Sequence, residues 1–209
     1  MAATLPSQRR IGLTGGIASG KSSVGRLLSA RGLPVLDADR YAREALAPGT
    51  AASAAVLAHF GPQVLDRHSA VLDRAALGQI VFSDAGERRW LEQLVHPLVR
   101  ARMEADLAGL QAAPVVVLMV PLLFEAGLES LCSEVWLVDC DEAQQLQRLM
   151  QRDQLSAEQA QARIAAQWPL ARKRPLATRL IDNRADPEQL RAQVERALAA
   201  SITPPAGAG

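Results

Sequence analysis

The segment Gly15-Gly16-Ile17-Ala18-Ser19-Gly20-Lys21-Ser22 satisfies G-x-x-x-x-G-K-[ST] and follows the apolar run Ile11-Gly12-Leu13-Thr14. Small residues let consecutive backbone N–H groups converge on a polyphosphate, at the positive end of a helix that should begin near Lys21. Gly16, Ile17, Ala18, Ser19, Gly20, Lys21, Ser22 and Ser23 then form the loop that binds the nucleotide. Lys21 would then reach the β- and γ-phosphates, and the Ser22 hydroxyl would ligate Mg²⁺. Context separates this from a glycine-rich turn: the preceding residues read as a buried strand, and Val24, Leu27 and Leu28 follow at helical spacing.

Four other groups have types and spacings suited to chemistry. Asp37-Ala38-Asp39 closes a short apolar run, and in an open α/β sheet such a strand end faces the ligand crevice; one of these acids is expected to cap the next helix. Asp139 ends Val135-Trp136-Leu137-Val138 and superficially resembles a metal-binding aspartate. Arg148 and Arg152 stand four apart, on one helical face, and Arg172-Lys173-Arg174 adds cations that are either a solvated face or part of a lid. His96 stands beside Pro97, where a titratable ring serves either structure or substrate.

The elements that position these groups follow from the pattern. Five apolar runs, Arg10 to Thr14, Pro34 to Leu36, Val115 to Val120, Val135 to Asp139 and Leu180 to Asn183, read as strands of a mainly parallel sheet. Helical spacing covers Ala52 to Phe60, Arg74 to Phe82 and Gly86 to Leu110, an insertion larger than one crossover helix requires. Glu142 to Arg152 is helical. The capping box Ser156-x-x-Gln159 opens a further helix running to about Trp168, and Asp186-Pro187 opens the last. Gly32 stops the first helix, and the Pro- and Gly-rich residues 201–209 are expected to be disordered.

Bulk properties set the frame. The chain has 209 residues, 49% of them hydrophobic, enough for one substantial core. A formal net charge of +1 gives no general footprint for nucleic acid or an anionic membrane. Cys132 and Cys140 have neither metal-ligand spacing nor a C-x-x-C pair, so they read as buried small hydrophobes in a reduced compartment. The first ten residues lack the apolar core of a signal peptide, and no apolar run approaches the roughly 20 residues of a membrane helix. The expected location is cytoplasmic.

Taken together, Gly12-Leu13-Thr14-Gly15-Gly16-Ile17-Ala18-Ser19-Gly20-Lys21-Ser22, Asp37-Ala38-Asp39, His96-Pro97-Leu98, Pro121-Leu122-Leu123-Phe124-Glu125, Gln151-Arg152-Asp153 and Ile181-Asp182-Asn183 closely resemble the dephospho-CoA kinases, from Arg10 to the closing helix. The resemblance implies an α/β P-loop kinase with a mainly parallel five-stranded sheet flanked by helices, a helical substrate-binding insertion and a helical lid. Its parts would be a nucleotide-binding core (about 10–50, 112–140 and 178–200), a helical CoA-binding lobe (about 51–111) and a lid (about 142–176). It implies phosphorylation of the ribose 3′-hydroxyl of dephospho-CoA by ATP, giving coenzyme A and ADP, with Mg²⁺.

The same resemblance suggests that Asp39 orients the hydroxyl and accepts its proton, while Arg148 and Arg152 offset charge on the migrating group. Arg43 would anchor acceptor phosphates, His96 would touch substrate, and Asn183 would contact adenine. Ala18 stands where the family commonly has Gly, which is tolerable if its φ is negative, and Ser23 stands where it commonly has Thr. Leu176-Ala177-Thr178 lacks the family's usual acidic residue. The rival readings are another small-molecule or nucleoside monophosphate kinase of the same architecture and a nucleotide switch. The guanine-specifying N-K-x-D is absent, and Gly12-x-x-Gly15-Gly16 does not fit the dinucleotide pattern G-x-G-x-x-G.

Overall fold

The computed structural model describes residues 8–66, 69, 71–184 and 186–200; the tail at 201–209 lies outside them. The strands are β1 (Arg9–Gly15), β2 (Val35–Asp37), β3 (Val115–Met119), β4 (Glu134–Asp139) and β5 (Arg179–Asp182). They form one parallel sheet in the order β2-β3-β1-β4-β5. The helices are α1 (Lys21–Ala30), α2 (Ala38–Ala45), α3 (Ala51–Phe60), α4 (Arg74–Ser83), α5 (Ala85–Gly109), α6 (Glu142–Asp153), α7 (Ala157–Ala165), α8 (Leu170–Lys173) and α9 (Pro187–Ala199).

The sheet is covered on both faces, which is why its central strands read as unbroken apolar runs. Alternation divides them between two cores. Val116 and Leu118 join Tyr41 of α2 and Val95, Val99 and Met103 of α5. Val117 and Met119 join Val24 and Leu28 of α1 and Leu190 and Val194 of α9. A third cluster, of Val56, Phe60, Val64, Leu72, Leu77 and Val81, lies among α3, α4 and the segment between them, with Trp90, Leu91 and Leu94 of α5 packed against it. The early turns of α5 therefore serve the helical insertion, and its later turns serve the sheet. Pro97 falls just past this changeover, between Val95 and Val99, without ending the helix.

Helix ends follow local chemistry. Asp73, Asp84 and Asp186 each accept two backbone N–H groups at the N-termini of α4, α5 and α9. Ser156 and Gln159 form the expected reciprocal capping box of α7. That helix stops at Ala165, short of the expected Trp168, because Pro169 disfavours helical backbone before it and the Trp168 N–H donates instead to Glu125 Oε1 at 3.0 Å. Helix α2 starts at Ala38, and of the two acids it is Asp37 that caps it, accepting the Asp39 N–H at 2.9 Å.

At the edge of the sheet away from the strand carboxyl ends, Glu134 is buried and ion-paired to Arg9, with Arg179 at 3.6 Å. The Trp136 indole N–H donates to Glu134 at 2.9 Å, and Arg9 also donates to the Ala197 and Leu198 carbonyls of α9. One carboxylate thus holds β1, β4 and β5 together, with α9 attached through Arg9. Removing one member of a buried ionic group leaves the others unpaired in a poor solvent, at a cost of about 3–5 kcal/mol. Glu134→Ala should lower the unfolding free energy by about that amount in urea titrations, with the turnover per folded molecule unchanged. A loss below about 1 kcal/mol would show that the network holds nothing.

Candidate active site

Parallel register brings the strand carboxyl ends to one edge: Gly15 lies beside Val138, Asp37 beside Met119, and Asp182 beside Asp139. Along this edge runs a cavity of about 840 Å³. Its polar end is walled by the loop from Gly16 to Ser23, by Asp39 and by Arg148 and Arg152. Its apolar end is walled by Val81 and Phe82 of α4, Val95 and Val99 of α5, and Leu122 and Leu128 beyond β3. Helix α5 contributes Arg88, Leu91, Glu92, Val95, His96 and Val99, a single stripe at helical spacing.

The loop leads directly into α1, whose N-cap is Gly20 at φ 96°. Ala18 has φ 58°, contrary to the negative value under which its replacement of glycine would be free of strain. An L-residue in that region carries about 1–2 kcal/mol of strain, so the surrounding contacts must hold the loop in shape. They come from outside the loop. Gln145 Nε2 donates to the Ile17 carbonyl at 2.7 Å, the Ile17 N–H donates to Gln167 Oε1 at 2.9 Å, and Asn183 Nδ2 donates to the Ser19 carbonyl at 2.8 Å. Asn183 is thereby tied to the loop, and it is not among the residues that line this cavity.

Lys21 is buried beneath the loop, and burial pushes the pKa of its ammonium down. Asp39 and Asp37 oppose that shift, while Arg152 and Lys173 add to it. Asp39 lines the cavity and Asp37 turns back to cap α2, so the pair divides into one carboxylate at the site and one in the backbone. Arg148 Nη2 donates to the Asn183 carbonyl at 3.0 Å, whereas its Nη1 is buried without a hydrogen-bond partner among the described residues. Arg152 forms a two-point pair with Asp153 at 2.7 and 3.0 Å, which raises its own pKa. His96 lines the cavity; Arg43 does not, and donates its Nε to the Asp39 carbonyl at 3.2 Å.

Two expectations change. Asp139 is no free metal ligand, because Arg174 grips both of its carboxylate oxygens at 3.1–3.2 Å. The stretch Arg172-Lys173-Arg174 does not line the cavity, and it is not one solvated face: Arg172 is exposed, Arg174 partly so, and Lys173 is buried. Arg172 stacks on Trp168, Lys173 is wholly buried 2.7 Å from Glu125, and Arg174 is committed to Asp139. Gln145, Gln167, Arg88 and Glu92 were not legible as site residues. Only the spacing of the last two from His96, eight and four residues along one helix, marks them in the sequence.

A parallel sheet with a phosphate loop after β1, and a carboxylate and arginines facing that loop across one cavity, defines a P-loop kinase. The family profile described as dephospho-CoA kinase matches residues 9–189. The dephospho-CoA kinase of Parasynechococcus marenigrum is 65% identical over 189 residues, which cover 90% of this chain and 94% of that one. A solved Thermus thermophilus structure superposes with a TM-score of 0.79 at 36% identity, covering 95% of this chain and 100% of the other. The solved dephospho-CoA kinase from Campylobacter jejuni gives 0.65 at 28% identity, covering 90% and 94%. The chain belongs to the dephospho-CoA kinase family, phosphotransferases of the last step of coenzyme A synthesis.

The lowered pKa of Lys21 yields a binding signature. Free enzyme loses the Lys21 proton below the ordinary value of 10.5, and a neighbouring polyphosphate restores it. ATP binding should therefore take up protons at alkaline pH below 10.5, with affinity falling as pH rises through that window. Calorimetry in two buffers of different ionisation enthalpy measures the uptake, and Lys21→Met should remove it. Its absence from the parent protein at every pH up to 10.5 would take Lys21 away from the phosphates.

Proposed function

We propose that the cavity holds ATP at its phosphate loop and dephospho-CoA along its apolar end, and that the enzyme transfers the γ-phosphoryl group to the ribose 3′-hydroxyl. The observation that carries this reading is that one continuous cavity is walled by the loop, by Asp39 and by the apolar face of α4 and α5. A nucleotide alone would fill the polar end. The remaining length suits an acceptor with an extended apolar arm.

Phosphoryl transfer through a loose transition state asks mainly for alignment and charge neutralisation. The loop N–H groups and Lys21 hold the β- and γ-phosphates. Asp39 orients the attacking hydroxyl and takes its proton as the 3′-oxygen bonds to the γ-phosphorus and the bond to the β,γ-bridging oxygen breaks, releasing ADP. Arg148 and Arg152 face the same space and offset charge on the group in transit, and His96 meets the acceptor from α5. Arg43, outside the cavity wall, is left to steer acceptor phosphates at its margin.

Among the described residues no cluster of three His, Cys, Asp or Glu side chains could cage a metal. The exposed Ser22 hydroxyl beside Lys21 suits a hard cation that draws its other oxygens from phosphate and water, as Mg²⁺ does. Bound there with ATP, Mg²⁺ would neutralise phosphate charge. No described helix is long and apolar enough to cross a membrane, and the use of ATP fits a cytoplasmic enzyme.

Release of ADP, followed by a coupled assay, should require dephospho-CoA and remain near background with shikimate, gluconate or nucleoside monophosphates. Equal rates with any of these would overturn the substrate assignment. Asp39→Asn keeps the shape and removes the proton acceptor, so kcat should fall about 10²- to 10⁴-fold with the ATP dissociation constant within about threefold. A normal single-turnover rate in that variant would end the assignment of Asp39 as base.

A further inference from the structure

The phosphate loop binds by its N–H groups, and its carbonyl oxygens have to point elsewhere. In a trans peptide the C=O of one residue and the N–H of the next point in opposite directions, so fixing one fixes the other. Two loop carbonyls are fixed from outside. Gln145 holds that of Ile17 and Asn183 holds that of Ser19, and the residues that follow, Ala18 and Gly20, are the two with positive φ, at 58° and 96°. Both also line the cavity.

The glycines make room for this arrangement. A Cβ on Gly16 would stand 2.4 Å from Gln145 Nε2, and one on Gly20 would stand 1.9 Å from Asn183 Nδ2. Gly16 is not among the positive-φ residues, so in the loop it serves close approach and not conformational freedom. The amide assignments are fixed by their partners: a carbonyl needs an NH₂ group, and the Ile17 N–H needs the oxygen of Gln167.

We propose that Gln145 and Asn183 are positioning residues for the phosphoryl transfer. Their side-chain amides hold the Ile17 and Ser19 carbonyls out of the cavity and so aim the Ala18 and Gly20 N–H groups at the polyphosphate. This rests on the reading of the loop as the ATP site. Ala18 makes the support necessary. Turning over the Ile17–Ala18 peptide would return Ala18 to negative φ and swing a carbonyl oxygen toward the phosphates, and the Gln145 hydrogen bond is what opposes it. Gln145 is buried and comes from the first turn of α6, so the same bond ties α6 to the loop.

A double-mutant cycle between positions 145 and 18 tests the idea, read as ATP dissociation constant and KM for each substrate. Gln145→Met should weaken ATP about five- to tenfold, the size of one net hydrogen bond, with the KM for dephospho-CoA within about twofold. In an Ala18→Gly background, where the strain is gone, the same substitution should cost about twofold or less. Asn183→Leu should weaken ATP about as much as Gln145→Met. Gln145→Asn, one methylene short of the carbonyl, replaces the methionine variant if that fails to fold. Unchanged ATP affinity in a folded variant, or equal losses in both backgrounds, overturns the proposal. Failure of the parent protein to bind ATP would instead overturn the reading of the loop.

Discussion

A single buried ion pair joins the parts of this molecule that have to meet at the cavity. Lys173 has no exposed surface, and its ammonium lies 2.7 Å from Glu125 and 3.3 Å from the Pro121 carbonyl. That carbonyl also accepts the Thr14 hydroxyl from β1 at 3.2 Å, and Glu125 accepts the Trp168 N–H. The chain leaving β3, the strand that carries the phosphate loop and the return from α7 are thereby fixed to one another. Burying two charges is costly, and only their close approach and the added hydrogen bonds offset it. What the arrangement supplies is placement, since Pro121 and Leu122 form cavity wall while Gln167, immediately before Trp168, reaches the loop at Ile17.

Around that junction the polar and apolar walls of the cavity differ in kind. The polar lining combines loop backbone with Lys21, Asp39, Arg148 and Arg152, while Gln145 and Asn183 hold the loop without lining the cavity themselves. The apolar lining draws on two cores: Val81 of α4 belongs to the cluster of the helical insertion, and Val95 and Val99 of α5 to the cluster on the sheet. Asp39 stands where the two meet, at the start of a helix capped by Asp37. Its position is set by the end of β2 and not by a flexible loop, so its carboxylate is carried on a rigid element.

Sequence and structure agree where the physics is local. The phosphate loop is legible because its glycines and lysine are contiguous, the strands because burial on both faces leaves an unbroken apolar run, and the start of α7 because a capping box is spelled out in four residues. Agreement fails where a side chain's meaning depends on a partner far along the chain. Arg174 is 35 residues from Asp139 and Lys173 is 52 from Pro121, so a run of three cations gives no sign that each is already engaged. Asn183 is 164 residues from the carbonyl it holds, and Gln145 is 128 from its own. Neutral amides carry no motif, and their contribution here is visible only in three dimensions.

One contact bridges the helical insertion and the segment after α6. Arg163 of α7 is fixed by Asp153 at 2.9 Å and rests over the Phe82 ring of α4 at 5.0 Å. Helix α4 of the insertion thus touches the helix that follows α6. A cation over an aromatic face is worth about 1 kcal/mol in such a setting, an excess of roughly fivefold for the joined form over the parted one. A contact of that strength parts by thermal motion alone, so this clasp does not by itself hold α4 and α7 together.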